Sequence, residues 1–564
     1  MKTIISSFIF LSIIATQTVK AQEPEQNDST KRVTVVKEYQ PIINDAFKIN
    51  IEPEIKDTTT IKPLLFKYYF IEYPIFVKFE PEKIKAATMK GEPLPLLYQH
   101  YINVGIGSQI TPYRFMPDLE YYYNSSRNQR FIYGAHLKLF HASGKVKLND
   151  KNKISAPVTE NIIELFGKRI MNHSDISTRA FFNRNTYTYY GIPYFLDTIP
   201  NKNSIYQRTI HSGLGNRWFS THKDTTQLAY DSYLNYQYSN DKFSKAFENR
   251  IDLGTSLSKY IKGQQLGIKI DGNYFNQNLQ TDTVNALHFN IAPFISVIGN
   301  IWRINLGVSM AYYKNLKDSI PGQYNFYSNV LLQYNIIENF MIPYLGIGGG
   351  LKTYDYQTIL QENPYVKPNI SVENQSTPIE LFGGIKGNFT QNFFYDVNVK
   401  YSIINNMHFY VNDTTTPLYN MFDVVYDDVE LLRFHGEITW KKSHKFNLFL
   451  RGTYNKYNMM HYEKPWQKPE LFVAFTPQYQ IRDKIYINAD FYYADKMYAH
   501  IKEGNIWKIR NITPRYDLNL GTEYRWSRNF SAYLRFYNIL GKYEMWNYYP
   551  TFGFHIKLGI TYLL

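Results

Sequence analysis

Charged residues of both signs recur at alternate positions in stretches that are otherwise apolar and aromatic. Ten of them lie on the polar side of predicted strands: Asp252, Lys269, Asp271, Arg451, Asp490, Asp517, Glu523, Arg525, Arg535 and Lys557. If these side chains face a lumen, they could form a selectivity lining for a polar or anionic solute. They could equally form cross-strand ion pairs that stiffen a solvated wall. We favour the ion pairs, because the two signs alternate and do not segregate into one charged surface.

A glycine-rich run superficially resembles a phosphate-binding loop. It consists of Gly346, Gly348, Gly349 and Gly350, but no Lys-Ser or Lys-Thr pair follows and no helical pattern begins after it. A nucleotide-binding loop needs both features. The run is better interpreted as small residues in a strand, at a bend or where a loop folds against the wall.

One acidic loop could bind calcium through its carboxylate oxygens. It contains Asp413, Asp423, Asp427 and Asp428, whose spacing lacks the Asp-x-Asp-x-Asp-Gly pattern of a calcium loop. An ordinary solvated loop is therefore the favoured interpretation.

Histidine and cysteine offer little further chemistry. The chain has 13 His and no Cys, which excludes disulfides, thiolate zinc sites and cysteine nucleophiles. The pairs His136 with His141 and His435 with His444 lack metal-ligand spacing. No nucleophile motif accompanies the many Ser, His and Asp residues. We therefore predict a protein that is not an enzyme, with no catalytic, cofactor-binding or metal-binding residues.

The element that positions these residues has a period of two. From Tyr516 to Trp526, Tyr, Leu, Thr and Trp occupy one face, while Asp, Asn, Gly, Glu and Arg occupy the other, and residues 552–564 repeat this form. A strand separates two such sets, whereas a helix would mix them. The chain is 17% aromatic and 20% charged, which is too polar for several membrane helices. Long strands with aromatic residues at their ends favour a membrane barrel with interfacial girdles over a soluble sandwich.

Short and long connections alternate along the chain. Short ones are predicted near Gly299, Gln391, Ser443, Asp483 and Ser527, and long ones at residues 142–157, 192–204, 355–377, 409–429 and 499–513. This alternation is typical of periplasmic turns and extracellular loops. Counting from an upward strand at residues 101–108 to a downward strand ending at Leu564 gives about 22 strands. The weak alternation at residues 158–169 leaves 20 or 18 strands open.

The predicted fold class is therefore all-β: a transmembrane antiparallel β-barrel of about 22 strands at residues 99–564, located in the outer membrane. Residues 1–21 combine Lys2, an apolar run and the ending Val19-Lys20-Ala21, which predicts a secretory signal peptide. Residues 22–98 are rich in proline, which prevents a continuous helix. We predict that they form an extended segment in the periplasm or the lumen.

The C-terminal residues resemble a known family. Residues 533–543 read Tyr-Leu-Arg-Phe-Tyr-Asn-Ile-Leu-Gly-Lys-Tyr and are followed by Tyr548-Tyr549-Pro550 and a terminal strand at 554–564. This order resembles the closing two strands of TonB-dependent receptors, especially those of the Bacteroidota. Residues 33–41, 78–81 and 91–93 also resemble the opening of receptor-like outer-membrane barrels from that phylum.

The chain departs from that family before the barrel. A full family member carries a glycine-rich plug domain, whereas only 74 residues run from Gln22 to Pro95 here and they lack that pattern. The resemblance implies a receptor-like barrel that passes or binds a solute. The alternative is a non-conducting barrel subunit of an envelope machine for outer-membrane protein assembly, secretion or surface lipoprotein export.

The expected partners follow from this location and from the formal charge of +14. Basic loops at an outer membrane are expected to meet membrane lipid and anionic lipopolysaccharide. A surface lipoprotein or envelope-complex subunits could also bind. Nucleic acid is not expected, because the basic residues are scattered and no RNA-binding or DNA-binding motif is present.

Overall fold

The computed structural model describes residues 98–564, except 110–113, 126–129, 148–152, 197–199, 202–203, 223–225, 280–281, 318, 320 and 444. The predicted signal peptide and nearly all of the predicted N-terminal segment lie outside the described residues.

Alternating apolar and polar residues form strands along the whole described region. The strands are β1 His100–Gln109, β2 Arg114–Asn124, β3 Phe131–Ala142, β4 Lys145–Lys147, β5 Lys153–Ser155, β6 Val158–Ile170, β7 Ser174–Thr188, β8 Tyr206–Ser220, β9 Ala229–Asp241, β10 Phe247–Ile261, β11 Gln264–Leu279, β12 Asp282–Ile298, β13 Trp302–Asn315, β14 Gln323–Tyr334, β15 Ile342–Lys352, β16 Gln375–Thr390, β17 Phe393–Asn412, β18 Phe422–Ser443, β19 Phe446–Met459, β20 Leu471–Ile481, β21 Ile485–Ala494, β22 Met497–Glu503, β23 Ile506–Ile512, β24 Arg515–Arg525, β25 Phe530–Tyr537, β26 Glu544–Trp546, β27 Tyr549–Pro550 and β28 His555–Leu563. One helix, α1, spans Tyr356–Glu362.

Twenty-two of these strands form one closed antiparallel sheet. Each barrel strand pairs with the barrel strands that precede and follow it in the chain. In addition β1 pairs with β28, so the sheet has no free edge. At this seam the backbone N–H groups of Gln99 and His100 donate to the carbonyl of Leu564 at 2.5 and 3.0 Å. The pairs β4–β5, β22–β23 and β26–β27 lie outside the barrel sheet. The 22-strand antiparallel barrel predicted from the sequence is thus confirmed.

The outer face of the barrel is apolar. In β28, Leu558 and Ile560 are 59% and 47% exposed, whereas Lys557 on the other face forms an ion pair with Asp118. Exposed Leu, Ile, Phe and Tyr side chains recur at alternate positions in most barrel strands. An apolar surface of this extent is unfavourable in water and fits the hydrocarbon region of a bilayer. No helix in the described part of the chain has the length and composition to cross a membrane.

Short and long connections lie at opposite ends of the barrel, because the strands alternate in direction. The short-turn end includes connections 262–263, 391–392 and 482–484, and the seam with both chain ends of the barrel lies there too. The long-loop end includes 143–157, 189–205, 353–374, 495–514 and 538–554. In outer-membrane barrels the short turns are periplasmic and the long loops extracellular.

Two details differ from the sequence prediction. The region 158–169, which alternates weakly, forms the complete strand β6 with twelve residue pairs to each neighbour. The predicted long loop 409–429 is wrong in extent, because β17 and β18 continue to Asn412 and from Phe422. These strands have 20 and 22 residues, about twice the 9–11 that a tilted transmembrane strand needs. Their upper halves therefore extend beyond the membrane, where the alternation no longer separates lipid from lumen.

The glycine run lies in β15, as small residues in a strand. The register with β16 shifts between Gly348 and Gly350, which marks a β-bulge. At Gly346 an added Cβ would lie 2.3 Å from the Phe382 ring and 2.5 Å from the Val330 carbonyl oxygen. Glycine is needed here because the neighbouring backbone and ring approach closely.

We expect Gly346→Ala to destabilise the barrel by roughly 1–3 kcal/mol, because backbone must move to admit the methyl group. Gly436→Ala is the matched control, since nothing lies within 4 Å of its added Cβ. Urea unfolding in detergent micelles, followed by the loss of the fast-migrating folded form on unheated gels, measures both. Equal midpoints for the two variants would contradict the close approach at Gly346.

Candidate functional site: a cap across the long-loop end

Four long-loop connections pack together in one hydrophobic core at the extracellular end. We call residues 189–205, 353–374, 413–421 and 538–554 the cap. Their buried side chains join those of the upper ends of β7, β17 and β18 and of the hairpin β4–β5. The core is rich in tyrosine, and Tyr189 and Tyr549 are fully buried in it. The sequence pattern assigns aromatic residues to interfacial girdles, and the structure adds this loop core as a second place for them.

Tyr549 connects its own loop to the three other loops of the cap. Its ring stacks on Tyr365 at 3.7 Å and contacts Tyr190 edge-on at 4.9 Å between ring centroids. Its hydroxyl donates to the Asn420 carbonyl, while the Asn420 side-chain amide donates to the Tyr189 carbonyl at 2.7 Å. Burial raises the pKa of Tyr365 to about 12, so this ring remains neutral.

These contacts require the loops to cross the mouth of the barrel. Going around the sheet, eight strands separate connection 189–205 from 353–374, eight more separate that one from 538–554, and six return to the start. With a strand spacing of about 4.8 Å and a tilt of about 40°, the barrel is roughly 40 Å wide. Side chains from three such spaced positions touch only if the loops extend over the opening.

Helix α1 is fixed at its N-terminus to the distant wall. Asp355 caps the helix by accepting from the Thr358 N–H at 2.6 Å, and it pairs with Arg250 of β10 at 2.5 Å. The N–H of Tyr356 donates to Glu248 at 3.1 Å, and its hydroxyl donates to Asp241 at 2.8 Å. Loop 353–374 thus leaves β15 and docks on β9 and β10.

The C-terminus of α1 is fixed to the opposite side. Glu362 binds Nε2 of His408 at 2.7 Å and Nζ of Lys468 at 3.0 Å, on β17 and on connection 460–470. Burial alone would raise the pKa of Glu362, but the hydrogen bond from His408 and the charge of Lys468 lower it to about 2. Burial lowers the pKa of Lys468, against the opposing effect of Glu362. We call these three residues the Glu362 cluster.

A third attachment fixes the end of the same loop. Lys367 bridges Asp423 at 2.6 Å and Asp413 at 3.3 Å, and the backbone of residues 365–367 exchanges hydrogen bonds with Phe422. Although burial would lower the pKa of Lys367, the hydrogen bond and charge of Asp423 raise it. Two of the four predicted calcium-loop aspartates therefore neutralise a lysine.

Polar groups without partners lie along the edge of the cap near the Glu362 cluster. Asn547 bonds to the side-chain oxygens of Asn412 at 2.7 Å and Gln467 at 3.3 Å, which fixes the orientation of both amides. In the described residues, the amide nitrogens of Asn412 and Gln467 and the indole N–H of Trp466 have no hydrogen-bond acceptor. All three side chains are buried to 95% or more. Trp466 and Gln467 directly precede Lys468 in the chain, and Asn412 lies on the same strand as His408.

The structure does not gather the ten predicted lumen residues into one site. They lie on seven strands, and each contacts its own neighbours. The four aspartates accept hydrogen bonds: Asp252 from Arg250 and Asn273, Asp271 from Tyr233, Asp490 from Asn488, and Asp517 from the Leu518 N–H. Four further residues form ion pairs or charged hydrogen bonds: Arg451 with Glu437, Glu523 with Arg525, Arg525 with Tyr486, and Lys557 with Asp118. The last two lie over aromatic rings, Lys269 over Phe294 and Arg535 over Tyr533.

One of these residues lines a larger hollow of the wall. Arg451 borders a cavity of about 640 Å³ together with Lys400, Arg433 and His435. Glu380 and Glu437 pair with Lys400 and Arg451, at 2.8 and 3.2 Å. Arg433 bonds to the Asn455 side-chain oxygen at 2.8 Å and pairs with no acid in the described residues, so the cavity keeps a small excess of positive charge.

The other motifs form ordinary contacts. Asp427 accepts from the backbone and ring of His461, and Asp428 accepts from the Asn406 N–H. His136, His141 and His435 bond to Glu120, Thr159 and Thr453. In the described ranges, no group of three or more His, Asp or Glu side chains has the geometry of a metal site. His444 lies outside the described residues.

The known proteins that resemble this chain are barrels of the outer membrane. Among solved structures, a variant of the ferric enterobactin receptor PfeA of Pseudomonas aeruginosa has a TM-score of 0.61 at 11% identity, covering 83% of this chain and 80% of that one. The siderophore receptor PirA of Acinetobacter baumannii has a TM-score of 0.64 at 8% identity, with 84% and 81% covered. The copper transporter OprC has a TM-score of 0.57 at 12% identity, with 83% and 80% covered.

The chain has a TonB-dependent-receptor-like barrel fold. At these identities the likeness concerns the fold alone. These neighbours are receptors and a transporter, not enzymes, and a receptor-like barrel of this size fits an outer-membrane location. No protein family model and no curated protein matches the chain.

Sequence reasoning missed the residues that hold the cap. Arg250, Asp355, Glu362, His408 and Lys468 come from four separate segments, and no two of the ion-pair partners are close in sequence. The available signal was the aromatic content of the loops themselves, as in the Tyr-rich runs 187–190 and 548–549. Tyrosines within long connections and at the strand ends that border them indicate a loop core.

We expect Glu362→Gln to loosen residues 353–374 in a pH-dependent way. Because the pKa of Glu362 is lowered from 4.5 to about 2, the ionised carboxylate stabilises the cap above pH 4.5, and this contribution is lost as the pH falls toward 2. The side chain is 41% exposed, so the effect is about 1 kcal/mol or less, equivalent to roughly fivefold faster amide exchange.

Hydrogen–deuterium exchange of peptides from 353–374 measures this effect as a ratio of variant to wild-type rates at each pH, which cancels the intrinsic pH dependence. The ratio should approach one only as the pH falls to about 2. Glu463→Gln, an exposed acid in connection 460–470, is the control and should give a ratio of one throughout. A ratio for Glu362→Gln that does not vary with pH would contradict the role of its charge.

Proposed function

We propose that this receptor-like barrel binds a polar, acceptor-rich solute at its cap and passes it through the lumen when the cap rearranges. The observation that carries the proposal is the set of unpaired N–H donors of Asn412, Trp466 and Gln467 at the edge of a cap that crosses the mouth. Each buried polar group without a partner costs about 1–3 kcal/mol. Such costs concentrate at functional sites, where a ligand supplies the missing partners.

The chemistry of this edge supports an acceptor-rich solute. Three N–H donors and the ammonium of Lys468 match carboxylate, hydroxyl or carbonyl oxygens. The only acid of the Glu362 cluster is already shared between two bases. The resemblance of the C-terminal residues to receptors of the Bacteroidota also supports this proposal.

A second function of a different kind is favoured by the packing of the cap. Tyr189, Phe422 and Tyr549 are fully buried where the loops meet, as in the core of a stable domain. A cap that never opens fits a non-conducting barrel subunit of an envelope machine, which binds partner subunits or a surface lipoprotein. Solute passage remains the first proposal, because a purely structural cap gains nothing from unpaired donors.

We expect Tyr549→Ala to open the cap, since removing a buried aromatic ring costs roughly 3–5 kcal/mol. In planar lipid bilayers with potassium chloride, the wild-type chain should be almost silent and the variant should show long-lived openings. Tyr194→Ala, which removes a 59% exposed ring of the same loop core region, should behave as the wild type.

If neither Tyr549→Ala nor the wild type conducts ions, the result contradicts solute passage and supports the non-conducting subunit. Affinity purification from membranes in mild detergent gives an independent measurement. If the wild-type chain is recovered in a stoichiometric assembly or secretion complex, the result supports the second function. If it is recovered without partner proteins, the result supports the first.

A further inference from the structure

The short-turn end of the barrel is rich in exposed cations. Lys262, Arg303, Lys442, Lys445, Lys484 and Arg528 are exposed at five turns of this end, whereas few of its described acids are exposed, with Glu338 and Asp483 as examples. The sequence prediction had placed basic residues at loops facing lipopolysaccharide. At the long-loop end, however, many bases are paired with acids, as are Lys367, Lys468 and Arg510.

Two of the exposed cations at the short-turn end border a concave site. A cavity of about 430 Å³ lies where β3 begins and β6 ends. Its polar lining consists of Arg130, Arg169, Asn172, His173 and Ser174, and its apolar lining of Phe131, Ile170 and Met171. The backbone N–H of Ile170 donates to the Arg130 carbonyl at 2.7 Å, which ties the two turns together.

Arg169 lies on the lipid-facing side of the wall. In the register of β3 and β6 it is directly opposite Phe131, whose ring is 52% exposed. It has the same parity in β6 as Ile163 and Leu165, which are 46% and 57% exposed. A side chain at this position meets the apolar outer face of the barrel, not the lumen.

The aromatic girdle surrounds this arginine. On the next strand Ile176 is opposite Arg169, and on the strand after that Trp218 is opposite Ile176. Trp218 is 48% exposed and contacts Tyr230 edge-on at 5.1 Å. Exposed Trp and Tyr rings mark the level of the lipid headgroups, so Arg169 lies at that level.

No protein acid neutralises these guanidinium groups. Neither Arg130 nor Arg169 forms an ion pair within the described ranges, and the nearby Asp175 is bound to Lys168 at 2.8 Å. Lys168 has the opposite parity and lies on the lumen side. Arg169 therefore presents a planar, permanently charged donor toward the headgroup layer, beside the apolar ring of Phe131, and Arg130 lines the same pocket from the turn that precedes β3.

We propose that this pocket binds the phosphate of an anionic phospholipid from the periplasmic leaflet. Arg130 and Arg169 donate to the phosphodiester oxygens, and Phe131 contacts the first part of an acyl chain. Charge complementarity selects this occupant: the pocket carries two positive charges and no acid, and phosphatidylglycerol carries one negative charge. Residues 22–97 have 12 acids and 11 bases, so that stretch offers no comparable excess of negative charge.

Lipid retention by the full chain in detergent micelles tests the proposal. Native mass spectrometry measures bound lipid after addition of phosphatidylglycerol or of phosphatidylcholine with the same acyl chains. The wild type should retain phosphatidylglycerol preferentially, and Arg130→Gln/Arg169→Gln should retain roughly tenfold less. Lys259→Gln/Lys262→Gln removes two exposed cations from the same end outside the pocket and should retain as much as the wild type.

The remaining outcomes separate the sources of phosphate. Equal retention by the arginine variant, equal retention of both lipids, or a preference for lipopolysaccharide would each overturn the proposal. Displacement of the lipid by millimolar inorganic phosphate would overturn it in favour of a free-phosphate site. Heat-modifiable migration checks that the double variant is folded; if it is not, Arg169→Lys, which keeps the charge but loses the bidentate donor, should still retain less phosphatidylglycerol than the wild type.

Discussion

The pairing of every backbone N–H and C=O group is the constraint on which this structure depends. In hydrocarbon an unpaired peptide group costs several kcal/mol, so a sheet can cross only when it closes. Here 22 strands meet that condition, with β1 and β28 joined along eight residue pairs. The number of strands then fixes the width at roughly 40 Å, which side chains from the wall cannot fill. A closed barrel that pairs its backbone groups in this way has a wide opening, and the cap extends across that opening.

The cap combines two kinds of interaction with different properties. At its centre, neutral tyrosine rings pack against each other, and this contact is insensitive to pH and salt. At its margins, ion pairs fix helix α1 to two distant parts of the wall, through Asp355 at one end and Glu362 at the other. A helix of seven residues has little stability of its own. Its position is therefore determined by the contacts at its two ends, which makes those contacts the natural place for a change of shape to begin.

The barrel could be predicted from the sequence, whereas the cap could not. Lipid and lumen impose a period of two on each strand, so residues such as Lys557 and Leu558 reveal their faces without any knowledge of their partners. That signal weakens in β6, where Ile162 and Ile163 are adjacent, and in the upper halves of β17 and β18, which leave the bilayer. The cap has no such period. The Tyr190 ring contacts Tyr549, and its hydroxyl donates to the carbonyl of Pro550, which is 360 residues away in the chain; only the closed barrel brings these residues together.

The seam between the first and last strands also bears on how the chain folds. The hydrogen bonds from Gln99 and His100 to Leu564 join residues that are separated by almost the whole barrel. No circular arrangement of the strands can be completed before the last ten residues are available, so closure is a late, high-contact-order event. Until then the chain has two unpaired sheet edges, which are prone to aggregation. Pairing of the final strand with the first therefore removes both exposed edges in a single step.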